Sequence, residues 1–390
     1  MRNLTLINEK RHKIQIASNY DQATNDRWIH FIRNPLIEES IVSFVQDEIS
    51  AIYLYALIST GEVIAINTSG SIHWKTDLTN LNDSNMAKNF VESQSWFSLT
   101  YVDTSSQLVA LSHDGCIANI DCLDGKTEIV GSFDFGLITG SWSLDTELLC
   151  LVTDQSIIGS DKDTTATREF LSPIVIIMNC EFEILAEATL PTSRLSEPIF
   201  VTWKSADNSM IAISSVDQDD GIRRIRIFDV TTLSNSVLAR AEDGSGKLLS
   251  NIFPCPIAWA GPNCSSLIAA VQKRGRHGLE VVFIESNGLQ HGNFKLRTNE
   301  GDQVVSINWN SDSDLLAAVI VNVCSSDFSR RYRCQLYHRS NYHWYGILLN
   351  GFKETIVEAH ILCLFSILGI SSVNSNTITL YIQQQLSLID

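Results

Sequence analysis

The chain has 390 residues, 44% of them hydrophobic, which is enough to bury a large core. Its 44 acidic residues outnumber its 28 Lys and Arg residues, so the formal net charge is -16 and the pI is near 4.9. Because nucleic acids and anionic membranes attract basic surfaces, this balance argues against a protein whose main partner is RNA, DNA or a membrane.

The N-terminus and the cysteines indicate the compartment. The first residues, MRNLTLINEKRHKIQIASNYDQ, contain no apolar run of the length of a secretory signal, so secretion is not expected. The nine cysteines are odd in number and include no CxxC pair, which argues against a disulfide framework and against a zinc site. We expect a reducing compartment, the cytoplasm, with the nucleus as a second location.

The first 80 residues predict short β-strands separated by turns. The apolar runs are Leu4 to Ile7, Ile14 to Ala17, Ile49 to Ile58 and Glu62 to Asn67. Two polar segments, 79–95 and 160–170, are predicted to be surface loops. Further strands with no intervening helix are predicted between Leu279 and Tyr345.

A repeat that begins with an aromatic residue organises the middle of the chain. Each copy continues with a turn rich in Ser, Asn or Asp and then with an apolar run. The aromatic residues are Tyr101, Trp142, Trp203, Trp259 and Trp309. Their separations of 41, 61, 56 and 50 residues are typical of β-propeller blades, each of which is one four-stranded sheet. A β-sandwich with chance tryptophan spacing is the alternative.

We therefore predict an all-β, WD40-like β-propeller over residues 1–345, with seven blades as the preferred count and six as the alternative. In this arrangement the aromatic rings pack between blades, and the apolar strand after each ring lies near the central channel. Asp114-Gly115 and Asp229 resemble the turn and the strand end of a WD40 blade.

No catalytic, cofactor-binding or metal-binding motif is found, so an enzyme is not expected. The chain contains neither a GxSxG elbow nor an HExxH pair. Residues 244–247, Gly-Ser-Gly-Lys, resemble the end of a phosphate-binding loop, but Ala241 and Leu248 occupy required Gly and Ser/Thr positions. The acidic run 217–221 lacks EF-hand spacing, and a solvated hairpin turn is the simpler interpretation.

Two basic clusters are the candidate docking residues in this acidic chain. The first contains Lys273, Arg274 and Arg276, and the second contains Arg330, Arg331 and Arg333. Both could contact phosphate groups weakly. Docking of a partner protein, or a polar rim between strands, is the favoured interpretation.

Several segments resemble the N-terminal region of the Elongator complex subunit 1 (IKAP) family. They are Met1 to Leu4, Gly140 to Leu149, Ile174 to Leu185, Val281 to Gly292 and Asn341 to Tyr345. The most specific match is the combination of VVFIESNGLQHG with NYHWY some fifty residues later. The resemblance extends from residue 1 to about residue 345.

This resemblance implies a non-catalytic scaffold that binds other Elongator subunits. The family's complex installs carboxymethyl-type groups on wobble uridines of tRNA anticodons, and that chemistry belongs to a different subunit. The family's second propeller, helical repeats, dimerisation region and basic tRNA-contacting segment have no counterpart in this sequence. Dimerisation and direct tRNA contact are therefore not expected of it.

The last 45 residues depart from the family pattern. Residues 346–390 are apolar and contain only four charged residues. We interpret them as a divergent tail, and completion of the last blade is the alternative.

Two other functions stay open on the sequence alone. A general WD40-type interaction module outside Elongator is the main alternative. A propeller hydrolase ranks third, because no cluster of polar residues can be nominated for its active site.

Overall fold

The computed structural model describes the greater part of the chain between residues 4 and 347. The described ranges are 4–7, 13–16, 41–46, 53–58, 60–67, 72–82, 96–133, 135–154, 172–192, 197–233, 236–261, 266–275, 278–309, 313, 315–323, 330–340 and 343–347.

The described residues form 26 strands, all paired in antiparallel fashion, and one short 3-10 helix (Thr79–Asn82). A two-stranded sheet pairs β1 (Leu4–Ile7) with β2 (Lys13–Ile16).

Six four-stranded sheets follow in chain order, and we number them as blades 1 to 6. Blade 1 contains β3 (Ile41–Gln46), β4 (Tyr53–Ile58), β5 (Glu62–Asn67) and β6 (Ile72–Asp77). Blade 2 contains β7 (Trp96–Val102), β8 (Gln107–Ser112), β9 (Cys116–Asp121) and β10 (Thr127–Ser132). Blade 3 contains β11 (Gly136–Trp142), β12 (Leu148–Asp154), β13 (Ile174–Asn179) and β14 (Ile184–Thr189). Blade 4 contains β15 (Phe200–Trp203), β16 (Met210–Val216), β17 (Arg223–Asp229) and β18 (Ser236–Leu238). Blade 5 contains β19 (Ala258–Trp259), β20 (Ile268–Arg274), β21 (Gly278–Ile284) and β22 (Gln290–Lys295). Blade 6 contains β23 (Asp302–Trp309), β24 (Leu315–Val323), β25 (Arg330–Ser340) and β26 (His343–Ile347).

These sheets confirm the predicted all-β, propeller-type fold. The five aromatic residues of the repeat all lie on the first strands of blades 2 to 6. The count of seven blades stays a prediction, because the described residues form six four-stranded sheets and one two-stranded sheet. The predicted loop 160–170 and residues 348–390 of the tail lie outside the described residues.

Burial changes systematically across each blade. In blade 2 the second strand, β8, is almost entirely buried, whereas the fourth strand, β10, alternates between half-buried and exposed residues. A run such as Leu108 to Leu111 can be buried on both faces only if another sheet covers each face. The continuous apolar runs in the sequence therefore mark the second and third strands of the blades.

The hydrophobic core is divided into layers between neighbouring blades. Five buried clusters lie between blades 1 and 2, 2 and 3, 3 and 4, 4 and 5, and 5 and 6. Tyr101, Trp142, Trp203, Trp259 and Trp309 each pack in or against the cluster that joins their own blade to the preceding one. Each fully buried Leu, Ile or Val side chain contributes roughly 1.5–3 kcal/mol. These layers therefore hold the blades together.

The strand order within the sheets adds to one prediction. The apolar strand that follows each aromatic residue is the second strand of its sheet. The strand that contains the aromatic residue is the inner one, because the first strands of blades 3 to 6 contact one another in series. The position of the apolar strand near the channel stays a prediction.

The turns between first and second strands share a backbone conformation. Each of these turns in blades 2 to 6 contains a left-handed residue with φ between 38° and 57°: Ser106, Thr146, Asn208, Ser266 and Ser313. The same turns connect neighbouring blades by hydrogen bonds. The Asp103 amide donates to Thr146 Oγ1 at 3.2 Å, and the Gly261 amide donates to Ser313 Oγ at 2.6 Å. Polar turn residues thus stabilise the turn itself and also connect neighbouring blades by hydrogen bonds.

The turn between β8 and β9 requires glycine for two reasons. Gly115 has φ +93°, and a Cβ placed there would lie 2.4 Å from the Phe135 carbonyl oxygen. Gly244 also has a positive φ, +72°, but a Cβ there would meet no atom within 4 Å.

We expect Gly115→Ala to destabilise the chain more than Gly244→Ala does. Both substitutions force alanine into left-handed backbone, at a cost of about 1–2 kcal/mol. Gly115→Ala also creates a clash with main chain, worth roughly 1–3 kcal/mol more. Urea unfolding followed by circular dichroism measures both. Equal losses would contradict the proposed role of the Phe135 carbonyl.

Two of the repeat tryptophans donate hydrogen bonds to the preceding blade. Trp203 Nε1 donates to the Ser141 carbonyl at 2.8 Å, and Trp309 Nε1 donates to the Ala258 carbonyl at 3.2 Å. Each acceptor immediately precedes the aromatic residue of the neighbouring blade. Trp259 is as buried as Trp203, at 6% exposure, but its Nε1 has no partner among the described residues.

Trp203→Phe should therefore cost roughly 1–3 kcal/mol more than Trp259→Phe. Both changes remove the same atoms from equally buried sites. Only Trp203→Phe leaves a buried carbonyl oxygen without its donor. The free energy of unfolding in urea is the measurement, and a larger loss for Trp259→Phe would show that the indole hydrogen bond is unimportant.

Candidate docking surface

Antiparallel pairing places the hairpin turns of each blade at two opposite ends. The turns between first and second strands and between third and fourth strands share one end, which we call the aromatic end. In blade 3 these turns are residues 143–147 and 180–183. The turns between second and third strands, such as 217–222 in blade 4, share the other end with the links between blades. We call it the link end.

The structure brings the two predicted basic clusters to the link end of neighbouring blades. Lys273 and Arg274 end β20, and Arg330 and Arg331 begin β25. The backbone register pairs Arg330, Arg331 and Arg333 with Val323, Asn322 and Ile320. Arg276 lies outside the described residues. The two clusters were separate predictions from sequence, but the sheet topology makes them one region.

The side chains of Lys273 and Arg274 have different surroundings. Lys273 is exposed, and its Nζ lies 5.4 Å from the centroid of the Phe253 ring, within cation–π distance. Arg274 Nη1 lies 2.8 Å from Oε2 of Glu280, whose side chain is only 9% exposed. Arg274 is itself 57% exposed, so this pair compensates a buried carboxylate and adds little further stability. Lys273 carries the more available charge.

Two further basic residues at this end were not predicted. Lys295 ends β22 opposite Glu280. Arg297 is exposed on the link that follows, where its amide and carbonyl both hydrogen bond to the Gln335 side chain of β25. Lys295 and Arg297 could not be predicted from the sequence, because each is separated in the chain from the two basic clusters. Only the pairing of strands places them at the same end of the blades.

We call this group the basic rim. Its members are Lys273, Arg274, Lys295 and Arg297, together with Arg330, Arg331 and Arg333, which are included from their backbone position on β25. The described residues from 266 to 347 contain eight Lys or Arg and four Asp or Glu. In a chain of net charge -16, this is a local excess of positive charge, which would attract acidic groups of a binding partner.

Blade 4 contains three buried arginines on one strand. Arg223, Arg224 and Arg226 lie on β17 and are 6%, 9% and 8% exposed. Arg223 Nη2 lies 3.3 Å from Glu197 Oε2. Burial lowers the pKa of Arg223, and the charge of Glu197 opposes that shift.

The acidic turn 217–221 supplies the partners of the other two arginines. Asp217 pairs with Arg226, and Asp220 Oδ2 lies 2.5 Å from Arg224 Nη2. The Asp217 side chain is only 11% exposed, so the expected solvated turn is wrong at this residue. Its carboxylate compensates a buried guanidinium. The alternation of Arg with Ile on β17, directly after an acidic turn, is the feature of the sequence that could have indicated these ion pairs.

Arg226→Met should destabilise the chain by roughly 3–5 kcal/mol, because Asp217 would stay buried without a counter-ion. The double variant Arg226→Met with Asp217→Leu should recover most of that loss. Urea unfolding of both variants tests the pair. A double variant no more stable than the single one would contradict an uncompensated charge as the cause.

Three described groups with catalytic potential, Cys116, Cys255 and His113, are held in structural contacts. Burial, followed by the charge of Asp114, raises the pKa of the Cys116 thiol to about 11, and burial raises that of Cys255 to about 12. Reactive thiols show the opposite shift. His113 stacks on Phe97 with centroids 4.4 Å apart, and its Nδ1 lies 2.8 Å from the Leu137 carbonyl.

The loop that resembles a phosphate-binding motif carries a carboxylate where an anion would bind. Asp243 Oδ1 accepts hydrogen bonds from the Ser245 amide and from its hydroxyl. These bonds lower the pKa of Asp243. The described part of the chain holds no group of three His, Cys, Asp or Glu side chains arranged to bind a metal ion.

The described residues contain no helix that is both long and apolar enough to cross a membrane.

Comparison with known families agrees with this architecture. The family model described as the ELP1 first N-terminal beta-propeller matches residues 1–203 and 192–349. The chain belongs to this propeller family. The match confirms the resemblance to Elongator complex subunit 1 that the sequence motifs indicated.

Curated relatives in this family carry the name Elongator complex protein 1. The Saccharomyces cerevisiae protein is 27% identical over 301 residues, which cover 63% of this chain and 21% of the relative. The Mus musculus protein is 28% identical over 285 residues, covering 63% of this chain and 19% of the relative. The chain thus spans about a fifth of the length of these relatives. Among solved structures, the Cps50 (Swd1) β-propeller domain of Myceliophthora thermophila is 14% identical, with a TM-score of 0.45 and coverage of 77% of this chain and 84% of that domain.

Proposed function

We propose that this chain is a non-catalytic docking subunit of an Elongator complex. It would support carboxymethyl-type modification of tRNA wobble uridines by binding other subunits rather than by contacting tRNA. The single observation that carries the proposal is the family match from residue 1 to residue 349. The names of the curated relatives connect that family with Elongator.

The geometry supports docking as the mode of action. Hydrogen bonds and buried layers connect blades 1 to 6, so loops at both ends are presented on a stiff support. The described groups Asp217, Cys116, Cys255 and His113 are held in ion pairs, buried positions or ring contacts. The basic rim on blades 5 and 6 supplies a charged surface for an acidic region of a partner.

The 390-residue chain, tagged and purified from its own cells, should recover other Elongator subunits as identified by mass spectrometry. Recovery of none would contradict the proposal. Recovery of an unrelated set of proteins, unchanged in cells that lack Elongator, would identify a general interaction module instead.

Charge reversal of the basic rim tests the surface itself. Lys273→Glu combined with Arg297→Glu should lower recovery of the subunits severalfold, since both side chains are exposed and neither compensates a buried acid. Lys126→Glu is the control for the single variant Lys273→Glu, because both change the net charge by the same amount and Lys126 is 85% exposed in a blade 2 turn at the aromatic end. Equal loss in the control would show that net charge alone, and not the rim, controls recovery.

A further inference from the structure

We infer that blade 3 carries a second docking site, at the aromatic end, for a basic amphipathic segment of a protein partner. This inference goes beyond the proposed function and does not depend on it. The site, which we call the blade-3 patch, consists of Leu144, Ile184 and Leu185 together with Glu147, Glu181, Glu183 and Glu187.

The apolar part of the patch is unusually exposed. Leu144 is 70% exposed in the turn between β11 and β12, and Ile184 and Leu185 are 50% and 55% exposed at the start of β14. Among the described residues, four large apolar side chains are at least half exposed, and these are three of them. Exposed apolar side chains grouped at one end of one blade favour a docking function over chance exposure.

The two turns that carry these residues are held side by side. The β12–β13 register pairs Leu148 with Asn179, which places the 143–147 turn next to the 180–183 turn. Phe182 adopts a left-handed φ of 64° and packs edge-on against Trp142, with ring centroids 6.4 Å apart. The four strands of a sheet span about 14 Å, which is close to the rise of about 16 Å over three turns of a helix.

Hydrogen bonds fix the shape of both turns before any partner binds. Asn179 Oδ1 accepts from the amides of Glu181 and Glu183 at 3.1 and 2.8 Å. Ser143 Oγ donates to Asp145 Oδ1 at 2.6 Å. A pre-formed surface loses less conformational entropy on binding, so such turns suit a docking site.

The charge around the patch specifies the chemistry of the partner. The described residues of blade 3, 136–154 and 172–192, contain six Asp or Glu and no Lys or Arg. Glu147, Glu181, Glu183 and Glu187 are exposed. An apolar centre surrounded by carboxylates complements a helix with leucines on one face and lysines or arginines beside them. It repels RNA and anionic lipid.

A second copy of this chain is a poorer fit. Eight of its described Lys and Arg residues lie on blades 5 and 6. The seven described large apolar residues that are exposed all lie on blades 1 to 4: Ile72, Leu123, Val130, Leu144, Ile184, Leu185 and Val237. Among the described side chains, the basic rim therefore offers charge without the exposed apolar groups that would complement the blade-3 patch.

The test is fluorescence anisotropy with the purified 390-residue chain and a labelled Leu/Lys helical peptide of about 18 residues. A scrambled peptide of the same composition and a Leu/Glu peptide are the ligand controls. We expect binding of the amphipathic Leu/Lys peptide alone, weakened as the salt concentration rises.

The variants locate the site. Leu144→Ser with Leu185→Ser should weaken binding by about tenfold or more. Glu181→Gln with Glu183→Gln should weaken it at low salt. Leu123→Ser is the matched control, because Leu123 is 81% exposed in a blade 2 turn. Circular dichroism and thermal unfolding confirm that each variant is folded.

Four results would overturn the inference. They are absence of peptide binding, equal binding of the scrambled peptide, equal loss with Leu123→Ser, and concentration-dependent self-association of the chain that the Leu144 and Leu185 changes abolish. The last result would identify a second copy as the occupant. The peptide assay tests only the blade-3 patch, and recovery of Elongator subunits tests only the proposed function. A negative result in one experiment therefore does not contradict the other proposal.

Discussion

The structure depends on apolar packing between neighbouring sheets. The second and third strands of a blade are apolar on both faces, and a single sheet would expose one of those faces to water. Leu149, Leu151 and Ile176 pack toward blade 2, whereas Cys150, Val152 and Ile177 pack toward blade 4. Each blade is therefore stable only as a member of the series.

This constraint separates structural residues from those available for function. The inner and middle strands are committed to the layers between blades, and so are the rings of Trp203, Trp259 and Trp309. Exposed residues of the turns at the two ends, such as Leu144 and Lys126, are free of that requirement. Charge differs accordingly between blades, with acidic residues alone on described blade 3 and an excess of basic residues on blades 5 and 6. A stiff series of sheets with opposite charges at separate places is suited to hold more than one partner.

Buried charge has a different role in blade 4. Three guanidinium groups lie inside the blade only because Glu197, Asp220 and Asp217 compensate them. Such pairs rarely add stability over apolar residues of similar size, but a single missing partner is costly. The cluster therefore constrains which residues can occupy the 217–221 turn, a constraint unrelated to cation binding.

The sequence by itself determined the fold class, the repeat and the family. Strand propensity, turn chemistry and aromatic spacing are local properties, so Trp142 and Trp203 could be placed at the start of blades from spacing alone. The combination of Val281 to Gly292 with Asn341 to Tyr345 was enough to indicate the family. The tertiary structure decided which strand is innermost, the pairing of Asp217 with Arg226, the union of Lys273 with Arg297 in one rim, and the grouping of Leu144 with Leu185. These contacts join residues that are far apart in the chain or on different strands, and strand register and blade packing place them together. A linear pattern of residue types does not contain that information.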